Sequence, residues 1–186
     1  MSVMIEREVK LRFESAEQAR AAVLDAGATP VRERRLQEDC LLDTRDLALQ
    51  RAGTALRVRN ESGASLITFK GPVQASAMKV RDEIETAVGD GGLMLTLLGQ
   101  LGFVPCFRAQ KYREEFASDG CIVAVDETPA GTFVEIEGSE GGIAAMAAAL
   151  GRSPADYLVA SYRSLYSDYC RQRGLIVTDM VFTEDD

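Results

Sequence analysis

The sequence predicts an α+β fold in which eight strands close into a barrel with a polar interior, while helices pack on the outside. Two observations carry this expectation. Charged residues recur at i, i+2 in five places, Glu6-x-Glu8-x-Lys10, Arg57-x-Arg59, Arg81-x-Glu83-x-Glu85, Lys111-x-Arg113 and Glu135-x-Glu137, the spacing that brings side chains to one face of a strand. Between them stand apolar residues, among them Val9, Val58, Ile84 and Ile136. A single such pair describes an ordinary solvated sheet face. Five rows backed by apolar partners fit a closed barrel whose apolar face meets helices and whose charged face lines a lumen.

Residues 3–13 alternate in strand fashion, and Ser15-Ala16-Glu17-Gln18 then opens an alanine-rich helix with a capping-box pattern that Gly27 closes. After Pro30, strand-like alternation recurs at 31–43, 54–60, 65–70, 78–88, 104–117, 121–126 and 131–137. Turn residues separate several of these segments: Asn60-Glu61-Ser62-Gly63, Ser118-Asp119-Gly120 and Pro129-Ala130-Gly131. The apolar segment 91–102 reads as a helix between two strands. The last third turns helical over 140–150 and 154–172, the second with Leu158, Tyr162, Leu165 and Tyr169 on one stripe expected to pack on the core. One domain over 1–173 is expected, with the tail 174–186 disordered from Thr178 onward.

A chain of 186 residues with 46% hydrophobic content can bury a substantial core. Its formal charge of −8 and pI of about 4.7 oppose broad binding to nucleic acid or an anionic membrane. An anionic ligand must therefore be captured locally. Histidine is absent, and Cys40, Cys106, Cys121 and Cys170 lack C-x-x-C spacing, which excludes a zinc constellation and any nucleophile that relies on a histidine base. Hard-metal chemistry through carboxylates stays open. The first residues contain no signal-like apolar stretch, and no run approaches the ~18 apolar residues of a membrane span. The expectation is a cytoplasmic protein with reduced thiols; whether it forms a homodimer is left open.

Seven bases (Lys10, Arg57, Arg59, Lys70, Arg81, Lys111, Arg113) face six acids (Glu6, Glu8, Glu83, Glu85, Glu135, Glu137) in this scheme. Near balance limits the cost of burying them. The acids offer oxygen ligands for Mg²⁺ or Mn²⁺, and one or two such ions would bring the lumen to roughly +3 or +5. That charge complements a chain of phosphates, for which arginine supplies planar forks and lysine point charges.

The motifs Glu6-Arg7-Glu8-Val9-Lys10, Leu42-Asp43-Thr44, Ala55-Leu56-Arg57-Val58-Arg59, Thr68-Phe69-Lys70-Gly71, Glu83-Ile84-Glu85, Lys111-Tyr112-Arg113, Val125-Asp126-Glu127-Thr128-Pro129 and Phe133-Val134-Glu135-Ile136-Glu137-Gly138 follow one another along the chain. In order and spacing the sequence resembles the CYTH superfamily over about residues 3–170. These are the triphosphate-tunnel enzymes, which include class IV adenylate cyclases, thiamine triphosphatases and inorganic triphosphatases. The resemblance implies a tunnel of eight antiparallel strands. It implies Mg²⁺ or Mn²⁺ on Glu6, Glu8, Glu135 and Glu137, with Glu83, Glu85 and Asp126 as further candidates, and phosphates on Lys10, Arg57, Arg59, Lys70, Arg81, Lys111 and Arg113. Lys10 is expected to bind phosphate or, if neighbouring cations lower its pKa, to act as a base. Family members commonly carry a tyrosine just before the Asp-Thr pair, where this chain has Leu41. The expected activity is hydrolysis of an organic or inorganic triphosphate. Conversion of ATP to cyclic AMP is the second reading and non-catalytic polyphosphate binding the third.

Overall fold

The computed structural model describes residues 4–183. Its strands are β1 (Met4–Phe13), β2 (Thr29–Thr44), β3 (Ala55–Glu61), β4 (Ala64–Lys70), β5 (Lys79–Val88), β6 (Phe103–Ser118), β7 (Cys121–Thr128) and β8 (Gly131–Gly138). They close in the order β1-β5-β4-β3-β2-β6-β7-β8, each pair antiparallel. The expected eight-stranded barrel is therefore present. Closure rests on β1, whose first half pairs with β5 (Met4↔Glu83 to Glu8↔Lys79) and whose second half pairs with β8 (Glu8↔Glu137 to Phe13↔Thr132).

Five helices flank the barrel: α1 (Ala16–Asp25), α2 (Ala48–Arg51), α3 (Gly91–Gln100), α4 (Glu140–Ala149) and α5 (Tyr162–Arg173). The residues between the charged rows do face outward. Val9, Leu11, Val123, Val134 and Ile136 are essentially buried beneath Ala19 and Val23 of α1 and Ile143, Met146 and Ala147 of α4. Leu42 and Val58 likewise pack under Leu98 of α3. Each such aliphatic side chain contributes about 1.5–3 kcal/mol through burial, so the helices hold the pleat that turns the charges inward. Local chemistry sets the element ends. Ser15 caps α1 by accepting from the Gln18 amide, while the Gln18 side chain accepts from the Glu14 amide. Ser62 and Gly63, both at positive φ (49° and 79°), form the two-residue turn between β3 and β4. No helix among the described residues is long and apolar enough to cross a membrane.

Two expectations fail. The helix expected over 154–172 is broken: Pro154–Asp156 is a 3-10 turn, and α5 begins only at Tyr162, capped by Ser161. The reason is non-local. β5 stops pairing with β1 at Glu8, which exposes the Lys10 backbone on that edge, and Leu158 satisfies it with hydrogen bonds of 3.0 and 2.9 Å. The tail also differs from the expected disorder. Its Met180 amide donates to the Arg108 carbonyl and its carbonyl accepts from Gln110, seating a side chain that is 1% exposed. Phe182 stacks near Tyr112 at 5.2 Å. Charge at 184–186, which lie outside the described residues, obscured these two apolar anchors. Met180→Ala is expected to lower unfolding free energy by about 2–4 kcal/mol in urea titrations. An unchanged midpoint would contradict docking of the tail.

Candidate functional site

The inward rows meet as one ionic network. On β1, Glu6 accepts from Lys70 of β4 at 2.5 Å and Arg81 of β5 at 2.6 Å, and Glu8 accepts from Lys10 at 2.6 Å and Lys79 at 2.7 Å. Lys10 also reaches Glu135 of β8 at 3.0 Å. Glu135 accepts from Arg113 of β6 at 2.6 Å, and Arg113 forks onto Asp126 of β7 at 2.6 and 2.5 Å. Asp126 takes a further bond from Lys111 at 2.9 Å. Across the barrel Arg59 forks onto Asp39 at 2.6 and 2.7 Å, and Glu83 pairs with Lys70 at 2.6 Å. Glu85 accepts from Thr68 at 2.7 Å.

Two charged groups stand apart. The Arg57 guanidinium reaches Thr68 at 3.1 Å, Glu85 at 3.4 Å and Asp39 at 3.6 Å, and its buried Nε has no partner. Glu137 reaches solvent and makes no hydrogen bond or ion pair among the described residues, although Glu6, Glu8 and Glu137 each place a carboxylate oxygen within 4.8 Å of the others. These three acids form the densest negative cluster of the lumen. Toward α5 the rows turn apolar: Leu41, Phe107 and Ala109 pack with Tyr162 and Tyr166.

Environment sorts the titrating groups. Burial would lower the pKa of Lys10, but Glu135 and Glu8 on either side raise it above the ordinary lysine value. With Glu8 and Glu135 against it Lys10 is held charged, although the Lys79 ammonium shares the same Glu8 oxygen. Lys111 shifts downward, to about 8, through burial and the adjacent Arg113, and burial lowers Lys79 as well. Burial also opposes ionisation of Glu8, Asp126 and Glu135, yet their basic partners hold all three below the ordinary carboxylate range. Glu137 goes the other way. Desolvation by the barrel wall and repulsion from Glu135, Glu6 and Glu8 push it up to about 7.

The family model of the CYTH domain matches residues 4–155. This chain belongs to the CYTH domain family. A Methanocaldococcus jannaschii protein named "Putative adenylate cyclase" is 28% identical over 137 residues, 73% of this chain and 78% of its own. The structure of a Pyrococcus horikoshii protein is 26% identical and superposes with a TM-score of 0.74 over 86% of this chain and 98% of its own. A Hippeastrum structure, described as a "Putative adenylyl cyclase" that "reveals a dominant" triphosphatase activity, shares the fold at 20% identity and a TM-score of 0.65, covering 95% of this chain and 98% of its own.

In this CYTH domain the sequence-derived rows all reach the lumen, and Asp126 accepts from Arg113, Lys111 and Tyr162 on its two oxygens. Lys79 and Asp39 were missed. Lys79 extends the Arg81 row by one more i−2 step, and Arg35-x-Gln37-x-Asp39 has the same spacing in β2. Lys79, Asp39 and Asp126 bring the charges read from the rows to eight bases and eight acids, and the same faces of β2, β3 and β6 add Arg35 paired with Glu61 and Glu115.

A carboxyl whose folded pKa is raised binds a proton on folding, so stability falls as pH climbs from about 4 to about 7. Glu137→Gln removes that loss. It is expected to melt at higher temperature than the parent at pH 8 in EDTA, with the difference vanishing near pH 4; a lower melting temperature at pH 8 would contradict the crowding of these acids.

Proposed function

We propose that this CYTH domain is a metal-dependent triphosphatase that hydrolyses an organic or inorganic triphosphate inside the barrel. The observation that carries the reading is a carboxylate cluster with one unpaired member, Glu137, beside a bank of bases in the same lumen. The residues fit a hard cation, since Glu6, Glu8 and Glu137 offer only oxygens and close enough to share one ion. Mg²⁺ or Mn²⁺ held there would neutralise the acids and draw charge from phosphate oxygens. Glu135, expected as a ligand, is instead assigned to the basic network that holds Lys10 and Arg113.

The remaining work belongs to the bases. Arg57, with a buried donor unused, is the first contact for an entering phosphate. Arg59 and Arg113 are held in plane by their bidentate carboxylates, so their outer N–H groups are already oriented. Were Glu6 to hold a cation, Lys70 and Arg81 would be free to turn toward the phosphates. Lys10 keeps its proton and steadies charge on the phosphoryl group. Phosphoryl transfer depends chiefly on positioning and electrostatics, and attack by water needs no side-chain nucleophile.

The name of the M. jannaschii relative favours a second reading, cyclisation of ATP. That reaction must hold adenosine so that its 3′-hydroxyl meets the α-phosphate. The inward positions around the acid cluster, Glu6, Glu8, Glu83, Glu85 and Glu137, present carboxylates and no stacking surface. Hydrolysis needs none.

With Mn²⁺ the protein is expected to release orthophosphate from tripolyphosphate or ATP, resolved by ion-exchange chromatography. Cyclic AMP and pyrophosphate as main products would assign the cyclase instead, and full turnover in excess EDTA would remove the metal. Arg57→Ala is expected to weaken tripolyphosphate binding by about 10–100-fold, as loss of a charge-assisted donor implies. Unchanged calorimetric titration would take Arg57 out of the site.

A further inference from the structure

Tyr162 opens α5 at the apolar end of the lumen, and its hydroxyl donates to Asp126 Oδ2 at 2.5 Å. The same oxygen accepts from Lys111 and Arg113. The ring lies beneath two lysines of the network, with Lys10 Nζ at 5.0 Å and Lys111 Nζ at 4.8 Å from its centroid, and meets Phe133 edge-on at 5.5 Å. Its position is set from two sides. Leu158 clamps the preceding segment to the Lys10 backbone, and Ser161 caps the helix that Tyr162 begins.

Asp126 is completely buried, and a buried carboxylate stripped of donors is costly. Any phosphate that draws Lys111 or Arg113 away must therefore leave Asp126 with another partner. A phenol is neutral, so a polyanion attracts it far less than it attracts the two cations. The ring face, meanwhile, attracts an ammonium without fixing its direction.

We infer that Tyr162 is a positioning residue of the phosphate site: it keeps Asp126 hydrogen-bonded and carries Lys10 and Lys111 on its ring, so that both ammoniums can turn to a phosphate. This rests on the triphosphate reading of the lumen. It gives α5 a part in binding, and it makes a residue of the helix, not of the barrel, a determinant of affinity.

The test is Tyr162→Phe, which keeps the ring and its contact with Phe133 and removes only the donor. Isothermal titration with tripolyphosphate in EDTA, where no divalent ion contributes, is expected to show at least a tenfold weaker dissociation constant than the parent. Steady-state assays with Mn²⁺ should show KM raised by a similar factor and kcat changed far less, the pattern of lost binding. Tyr162→Leu, which also removes the ring face, should lose at least as much. A melting temperature close to that of the parent would separate this effect from a packing role. If Tyr162→Phe and Tyr162→Leu bind tripolyphosphate as tightly as the parent, whatever their stability, the inference is overturned and the triphosphate reading stands. Failure of the parent itself to bind tripolyphosphate, in EDTA and with Mn²⁺ alike, would overturn both.

Discussion

Positive and negative side chains from all eight strands point into one barrel, and the requirement that they pair governs the rest of the structure. Isolated charges could not be buried there, because desolvation of each costs several kcal/mol before any pairing. Alternation along every strand solves the problem locally, placing acids of β1 and β8 opposite bases of β4, β5 and β6. The outer face then has to be apolar and covered, which is why α1, α3 and α4 pack where they do. A broken pair would leave a buried charge uncompensated, so the network is also the most fragile part of the fold.

Pairing is nevertheless incomplete in two places, and their chemistry is opposite. Arg57 has a donor to spare and Glu137 an acceptor. Satisfying one with the other would have produced an inert barrel. Their separation leaves repulsion among Glu6, Glu8 and Glu137 that a cation, on the proposed reading, would relieve. Local destabilisation of this kind is characteristic of functional sites.

The barrel was legible in the sequence because its signal is local: charge at i, i+2 with apolar residues between them reports the two faces of a strand wherever it lies. The Glu6, Glu8, Glu135 and Glu137 rows, and the bases from Arg57 to Arg113, were read from that period and from the resemblance it supports. Which acids share a cluster was not legible, since it depends on β1 bridging β5 and β8 so that Glu8 stands beside both Lys79 and Glu137. The surroundings of Lys10 were not legible for the same reason. Its titration follows from Glu8 and Glu135, one a near neighbour in sequence and the other 125 positions away in number but adjacent in register. The break before α5 and the docking of Met180 were hidden because each answers an unpaired stretch of backbone elsewhere. Leu41 looked like a missing tyrosine; in the fold it belongs to an apolar end that brings its own phenol, Tyr162, from another element.

The central claim is that one lumen receives both a hard cation and a triphosphate. Anomalous diffraction from crystals soaked with Mn²⁺ and a non-hydrolysable triphosphate tests it most directly. The account predicts a manganese peak bounded by Glu6, Glu8 and Glu137, with phosphates running past Arg57 and Arg59 toward Lys111 and Arg113. Manganese and triphosphate bound only on the outer surface, with the inward charges still arranged as they are here, would contradict it.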